Sequence, residues 1–331
     1  MIITGPKNSI LDIAGLRVGQ AHDIEAKTGV SVILPSAPAR CSVAVSGGGP
    51  GTREVSALQD GGLIESVHGI VLSGGSVYGL AAADGVCAWL GTQGRGYAAS
   101  PNPDVPVSPI VPSAILFDNA NGGNKDWGLT PPFRGLALAA CGSISGQLSE
   151  GAYGAGFGAT AGLYAGGIGT ASEVIDGITV GALIAANPVG SPYMPGTDCP
   201  WAWIYEVGGE FGGARPPKDY ALSPAEDTKL SLLKALQNQA GQSTVIGVVA
   251  VDADLSQKQL KRLAIMAQDG LAMAVQPSHT PLDGDTIFTL SAGSTPCNTP
   301  VDLAVLGAAA ARCTARALTR GVIKAAAREP A

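Results

Sequence analysis

The chain is expected to be an α/β protein in which layers of mixed sheet are covered by helices. Three observations predict this. Short apolar runs bounded by glycine recur along the sequence. Longer stretches show apolar residues at helical spacing. The two kinds of segment alternate without the regular strand–helix–strand rhythm of a doubly wound parallel sheet. No internal repeat of fixed period is apparent, so residues 1–331 are expected to form a single domain.

The strands come first. Glycine makes up 47 of the 331 residues and clusters at Gly47–Gly51, Gly74-Gly75, Gly154–Gly158 and Gly166-Gly167. Between these clusters lie Ile70-Val71-Leu72 and Ile178–Ile184, both read as buried strands. The clearest strand is Thr244–Val251, TVIGVVAV. Among the helices, Ser256–Val275 places Leu260, Leu263, Ala264, Ala267, Leu271 and Ala274 on one face, with Ser256 as its N-cap. Val301–Ala327 is Ala-rich and carries Arg312, Arg316, Arg320 and Lys324 at intervals of four along one face. A further helix is expected over Gly79–Leu90, entered from the Gly74-Gly75 turn. The stretch Ala214–Gln242 is polar and proline-containing, and is read as a linker. It ends at a strongly apolar strand, where a chain can be cut and still hold together.

Composition narrows the function. Hydrophobic residues are 46 % and charged residues 14 %, against roughly 25 % charge in an ordinary soluble domain. A thick core combined with faces buried against other subunits accounts for both values, so a homo-oligomer is expected. The net charge is −6 with no Lys/Arg cluster, which argues against a nucleic-acid partner. Mean hydropathy is +0.25, yet no apolar run of about 18 residues occurs, so no membrane span is expected. The start, MIITGPKNSILDIAG, lacks a basic segment followed by a long apolar core, and a cytoplasmic location is expected. Cys41, Cys87, Cys141, Cys199, Cys297 and Cys313 form no CxxC pair and are read as free thiols in a reducing compartment. With only three histidines and no paired Cys/His spacing, neither a metal site nor a cofactor is expected. The Gly154–Gly158 and Ser73–Ser76 loops lack the Lys-Ser/Thr of a P-loop and the dinucleotide fingerprint, so phosphate binding is not expected.

Three segments carry candidate chemistry. In Ser243-Thr244-Val245-Ile246, a threonine opens a buried strand. If the chain were cut before it, the freed α-amine, with a pKa of about 8, would lie beside its own hydroxyl and serve as base. By itself the pair also reads as a turn residue followed by a β-former. In His279-Thr280-Pro281-Leu282-Asp283-Gly284-Asp285, two carboxylates flank a glycine. They can point into one site and shift each other's pKa, or sit on a solvated turn. His279 is a candidate base beside them. In Asn187-Pro188-Val189-Gly190, an amide at a strand end can donate to a developing oxyanion, or simply begin a turn.

Taken together, these segments resemble the DmpA-type self-processing aminopeptidases, a group that includes β-aminopeptidases and 6-aminohexanoate-oligomer (nylon oligomer) hydrolases. The residues that carry the resemblance run in order over nearly the whole chain: LDIAGLRVGQAHD, TGVSVILP, GGGPGTRE from Gly47, IVLSGGSVYGLAAADGV from Ile70, KDWG from Lys125, GAGFGATAG from Gly154, GGIGTAS from Gly166, TVGALIAANPVG from Thr179, TVIGVVAVDA from Thr244 and HTPLDGDTIF from His279. The resemblance implies a four-layer αββα sandwich of the DmpA/ornithine-acetyltransferase-like kind. It implies self-cleavage between Ser243 and Thr244 into residues 1–243 and 244–331. Thr244 then becomes the N-terminal nucleophile, with Asn187 as oxyanion donor and Asp283 and Asp285 as the family's paired acids. Short peptides, aminoacyl amides or nylon-type oligomers are the implied substrates, and a homotetramer of cleaved pairs the implied assembly.

The sequence departs from the pattern at three places. The nylon-oligomer hydrolases carry a Lys just after the segment matching GAGFGATAG. Here Leu163 stands there with no Lys nearby, which implies a site short of one cation. Ser243 precedes the nucleophile where relatives often have Asn or Gly. Phe117 stands where the nylon-oligomer hydrolases have Tyr, and with Tyr78 is expected to touch substrate. An acyltransferase of the ornithine-acetyltransferase-like type and a non-catalytic family member are the alternatives. Acyl transfer to added amines, or a function indifferent to Thr244, would mark them.

Overall fold

The computed structural model describes residues 2–59, 62–224, 227–235 and 243–327. Two sheets lie face to face. The first has five strands in the order β1 (Leu16–Asp23), β2 (Thr28–Pro35), β6 (Ile70–Ser73), β7 (Ser113–Ile115) and β4 (Thr52–Arg53). The second has six, in the order β10 (Gly167–Ile175), β11 (Ile178–Asn187), β12 (Thr244–Val251), β13 (Thr286–Ser291), β3 (Ala39–Val45) and β5 (Ser66–Val67). A small hairpin pairs β8 (Thr160–Ala161) with β9 (Tyr164–Ala165). The sheets are mixed, because β12–β13 and β6–β7 are parallel while their neighbours are antiparallel.

The period-2 alternation of the strands builds the layers. In β12, Ile246, Val248 and Ala250 pack between the sheets against Ile33, Leu72 and Phe288. Val245, Val249 and Val251 face the other way, into a cluster with Leu260, Leu263, Leu271 and Leu318 of α4 (Gln257–Ala274) and α5 (Pro300–Ala326). On the opposite flank, Val30, Val32 and Leu34 of β2 meet α1 (Ala82–Gly91) and α2 (Phe133–Gly142). The result is helices, sheet, sheet, helices: the four-layer αββα sandwich. Strands covered on both faces have no polar side to show, which is why TVIGVVAV reads as a continuous apolar run and is buried throughout.

The long helices form where expected. Ser256 caps α4 through a capping box with Gln259, and all six residues of the expected apolar face are buried. Thr299 and Asp302 do the same for α5. Two expectations are refined. The segment expected as a helix from Gly79 to Leu90 is a 3-10 turn over Ser76–Ala81 that becomes α-helical only from Ala82. The stretch read as a linker, Ala214–Gln242, contains a short helix, α3 (Lys229–Ala235), while residues 225–226 and 236–242 lie outside the described ones. Among the described residues, no helix is long and apolar enough to cross a membrane.

The basic stripe on α5 faces inward. Arg312 forms a two-pronged pair with Glu173, at 2.9 and 2.5 Å. Arg316, fully buried, pairs with Glu210 at 2.6 and 3.0 Å and also donates to the Ser172 carbonyl and to Asn8 Oδ1. Arg320 and Lys324 share Glu150. Each guanidinium thus finds the planar carboxylate partner that its fork suits.

Candidate active site

The candidate residues converge at one end of the second sheet. Asn187 is the last residue of β11 and Thr244 the first of β12, and the antiparallel register sets them opposite each other. Because β13 runs parallel to β12, the turn that leads into it, Asp283-Gly284-Asp285, lies beside Ser243-Thr244-Val245. A parallel bridge joins Ser243 to Asp283: the Ser243 N–H donates to the Leu282 carbonyl at 3.0 Å, and the Gly284 N–H donates to the Ser243 carbonyl at 2.8 Å. Ser243, Thr244, Asn187, Asp283 and Asp285 are all buried. Two glycines make this closeness possible. A Cβ on Gly284 would lie 2.7 Å from Thr244 Oγ1, and one on Gly47 would lie 2.2 Å from the Asp283 carbonyl oxygen.

The Thr244 hydroxyl donates to the carbonyl oxygen of Ser243 at 2.5 Å, so it lies against the peptide bond that precedes it. That oxygen therefore receives two donors, the Thr244 hydroxyl and the Gly284 amide.

The two acids are each held by a different set of groups. Asp283 accepts from the Val189 N–H at 3.0 Å and from the Thr280 N–H and hydroxyl at 2.9 and 2.6 Å. Burial, with the charge of Asp285 adding to it, nevertheless holds its pKa above the usual carboxylate range. Asp285 accepts from the Val245 N–H at 2.8 Å and from His279 through both its backbone N–H at 3.2 Å and Nδ1 at 2.7 Å. Burial disfavours the imidazolium, but the Asp285 carboxylate outweighs it and raises the His279 pKa above its ordinary value. His279 thus serves Asp285, and no contact links it to Thr244.

Asn187 divides its amide between two neighbours. One proton of its Nδ2 goes to the Phe117 carbonyl at 2.8 Å. Its Oδ1 accepts from the Thr160 N–H at 2.9 Å and the Thr160 hydroxyl at 3.3 Å. The Ser243 carbonyl is met by the Gly284 amide rather than by Asn187. Phe117 contributes its backbone oxygen to the site. Tyr78 is half-exposed and packs edge-on against Trp127 at 5.5 Å, a contact that does not join it to Thr244.

Leu163 occupies the turn of the β8–β9 hairpin with its side chain exposed, and a lysine from elsewhere in the chain, Lys229, the first residue of α3, reaches the Asn187–Ser243 edge. The Lys229 N–H donates to the Val189 carbonyl at 3.0 Å, which docks the helix start beside the end of β11. Lys229 Nζ then lies 3.1 Å from Asn187 Oδ1, 3.3 Å from the Asn187 carbonyl and 3.1 Å from Ser243 Oγ. These are three acceptors for the three protons of an ammonium. Burial pulls its pKa down to about 7, opposed by the charge of Asp283.

Lys229 and the Gly284 amide are the components that residue-by-residue reading missed. A lysine in a polar stretch gives no local sign that it turns inward, and a backbone N–H gives none at all. Thr280 was legible only as part of the segment around the two acids. Among the described residues, no group of three or more His, Cys, Asp or Glu side chains is placed to hold a metal ion.

The chain is an αββα sandwich with a buried threonine at a strand start laid against its own preceding carbonyl. It belongs to peptidase family S58, whose profile matches residues 8–330. An uncharacterized aminopeptidase of Mycobacterium tuberculosis (strain H37Rv) is 40 % identical over 338 residues, covering 96 % of this chain and 94 % of the relative. A 6-aminohexanoate-oligomer endohydrolase of Kocuria sp. (strain KY2) is 27 % identical over 301 residues, covering 87 % of this chain and 76 % of the relative. Among solved structures, the L-aminopeptidase D-Ala-esterase/amidase of Ochrobactrum anthropi superimposes with a TM-score of 0.72 at 23 % identity, covering 97 % of this chain and 87 % of the other. A β-aminopeptidase of Burkholderia sp. does so at 0.69 and 22 %, covering 97 % and 88 %. The last two likenesses concern the fold. Family membership makes the chain an amide-bond hydrolase of the aminopeptidase type.

Proposed function

We propose that the chain cleaves itself between Ser243 and Thr244 and that the new N-terminal Thr244 is the nucleophile of an amidase for short peptides, aminoacyl amides or nylon-type oligomers. The observation that carries this is the Thr244 hydroxyl at 2.5 Å from the Ser243 carbonyl oxygen, with the Gly284 N–H on the same oxygen at 2.8 Å.

In the first step, Thr244 Oγ1 adds to the Ser243 carbonyl carbon. Negative charge develops on the oxygen that the Gly284 amide already meets, so the donor needs no reorganisation. The C–N bond breaks, the hydroxyl proton passes to the departing nitrogen, and Ser243 becomes an ester on Thr244. Water then hydrolyses the ester, leaving Ser243 as a carboxylate and freeing both the Thr244 hydroxyl and its α-amine. The two pieces stay together because residue 244 opens a strand paired on both edges.

In the mature enzyme the α-amine, with a pKa of about 8 when unperturbed, takes the hydroxyl proton as Thr244 attacks a substrate amide. Asp285 holds the Val245 N–H, and Asp283 the Val189 N–H, so the acids keep the two sides of the site in register. Asn187 spends one Nδ2 proton on Phe117 and has a second to offer the acyl oxyanion.

Denaturing electrophoresis and intact mass test the reading. Two chains, 1–243 and 244–331, with amide turnover that requires the cut, are expected. A single species of 33.0 kDa with full activity would sink it.

A further inference from the structure

The uncut chain contains an occupant of its own acyl site. Self-cleavage and substrate hydrolysis pass through the same kind of ester, an acyl group on Thr244 Oγ1, and in self-cleavage that acyl group is Ser243. The contacts Ser243 makes are therefore those the site offers an acyl residue. Its N–H donates to the Leu282 carbonyl at 3.0 Å and its carbonyl oxygen accepts from the Gly284 N–H at 2.8 Å. Its side-chain Oγ accepts from Lys229 Nζ at 3.1 Å. It lies in a one-residue parallel bridge with Asp283 and is 1 % exposed, so all its groups are met by protein.

We infer that the acyl-side subsite of the mature enzyme is formed by the Leu282 carbonyl, the Gly284 amide and the Lys229 ammonium, and that it takes aminoacyl amides whose acyl residue bears a short accepting side chain, a hydroxyl or a carboxylate. The inference rests on Thr244 being the nucleophile. A substrate with a free amine sets that amine where the Ser243 nitrogen lies, in front of the Leu282 carbonyl and beside Asp283. Its scissile oxygen takes the Gly284 proton. Lys229 reads the side chain. Two of its protons are already committed to Asn187, and the third points at the acyl residue. An apolar side chain there leaves that proton without an acceptor in the interior, and a cationic one adds repulsion. Losing a hydrogen bond to a charged group corresponds to a rate loss of about tenfold or more.

Residue 243 and an added substrate should obey the same order of preference, and the experiment compares them. In cis, the self-cleavage rates of the wild type and of Ser243→Asp, Ser243→Ala and Ser243→Lys are followed by denaturing electrophoresis. Aspartate is expected to keep pace with serine, alanine to be about tenfold slower, and lysine slower still. In trans, the cut wild-type enzyme is assayed for kcat/KM on seryl, aspartyl, leucyl and lysyl 4-nitroanilides. The seryl and aspartyl compounds should lead by about tenfold, and Lys229→Met should compress the order. A purely structural Lys229 would lower all four substrates together and leave their ranking intact, which overturns the inference. So does a wild-type enzyme that turns over leucyl or lysyl amides as fast as seryl. Should Lys229→Met fail to mature, the Ser243 series and the wild-type panel decide. A cut, active enzyme with a flat panel refutes this subsite and leaves the nucleophile standing; turnover by an uncut chain refutes both.

Discussion

Cations withdrawn from solvent appear in two regions of this molecule, fully buried in one and half-buried in the other, and they are treated in opposite ways. On α5, Arg316 is fully buried and forms a two-pronged pair with Glu210, with Arg312 on Glu173 and Arg320 on Glu150 beside it. At the strand edge, Lys229 has no carboxylate within ion-pair distance among the described residues. It is held instead by an amide oxygen, a carbonyl and a hydroxyl. A guanidinium whose fork grips one carboxylate locks helix to the chain beside it. A cation solvated by neutral acceptors is held close to losing its proton, and perturbed groups of that sort collect where chemistry happens. The arginine ladder is architecture; the lysine belongs to the site.

The sharpest way to break the comparison is to damage each region and ask whether chemistry or folding suffers. Thr244→Ala should leave the urea-unfolding midpoint close to wild type. It should also abolish self-cleavage and lower amide turnover by about a thousandfold or more. Residual cleavage would move the nucleophile elsewhere. Arg316→Met should do the reverse. It takes the two-pronged guanidinium from Glu210 and leaves that carboxylate only Arg320 at 3.6 Å and the Asn8 and Val207 donors, a loss of about 3 kcal/mol of stability, while protein folded at low temperature is expected still to cut itself. Equal stability in the two chains would mean that the ladder is ornamental.

Lys229→Met tests the other half. Replacing a half-buried cation that has no carboxylate partner by an apolar chain of similar length should change stability by no more than about 1 kcal/mol, and can raise it. A loss as large as that of Arg316→Met would erase the contrast. The pH dependence carries the same message. The pKa of Lys229 lies at about 7 when folded, below the ordinary lysine value of 10.5. Between these two values the unfolded chain holds more protons, so this residue makes stability rise with pH across that window. Urea titrations at pH 7 and pH 9 should show a slope that Lys229→Met removes. The smallest effect is expected far from both regions. Ser256→Ala deletes the N-cap of α4 and should lower stability by about 1 kcal/mol with self-cleavage untouched.

Much of this was legible in the residues. The strand TVIGVVAV, the apolar face of α4 and the long α5 follow from periodicity, because each has to satisfy a core on one or both sides. The acids flanking Gly284 are visible as a pair, and the ordered resemblance points to Thr244 as the proposed cleavage position. The spacing predicts a helix over Gly79–Leu90 because it does not separate the end of a 3-10 turn, Gly79–Ala81, from the α-helix it leads into. The stripe on α5 announced its spacing of four, but not that it faces glutamates from three other parts of the chain.

What the sequence by itself determined is which segments form buried strands and helices, with Thr244 opening one of those strands, since hydrophobic period is a local property. Only the tertiary structure decided what surrounds that threonine. The Gly284 amide reaches the Ser243 carbonyl because β12 and β13 run parallel, and Lys229 reaches Ser243 because α3 docks on Val189. A donor's aim and a charge's burial depend on residues distant in the chain, so no window of sequence around Thr244 contains them.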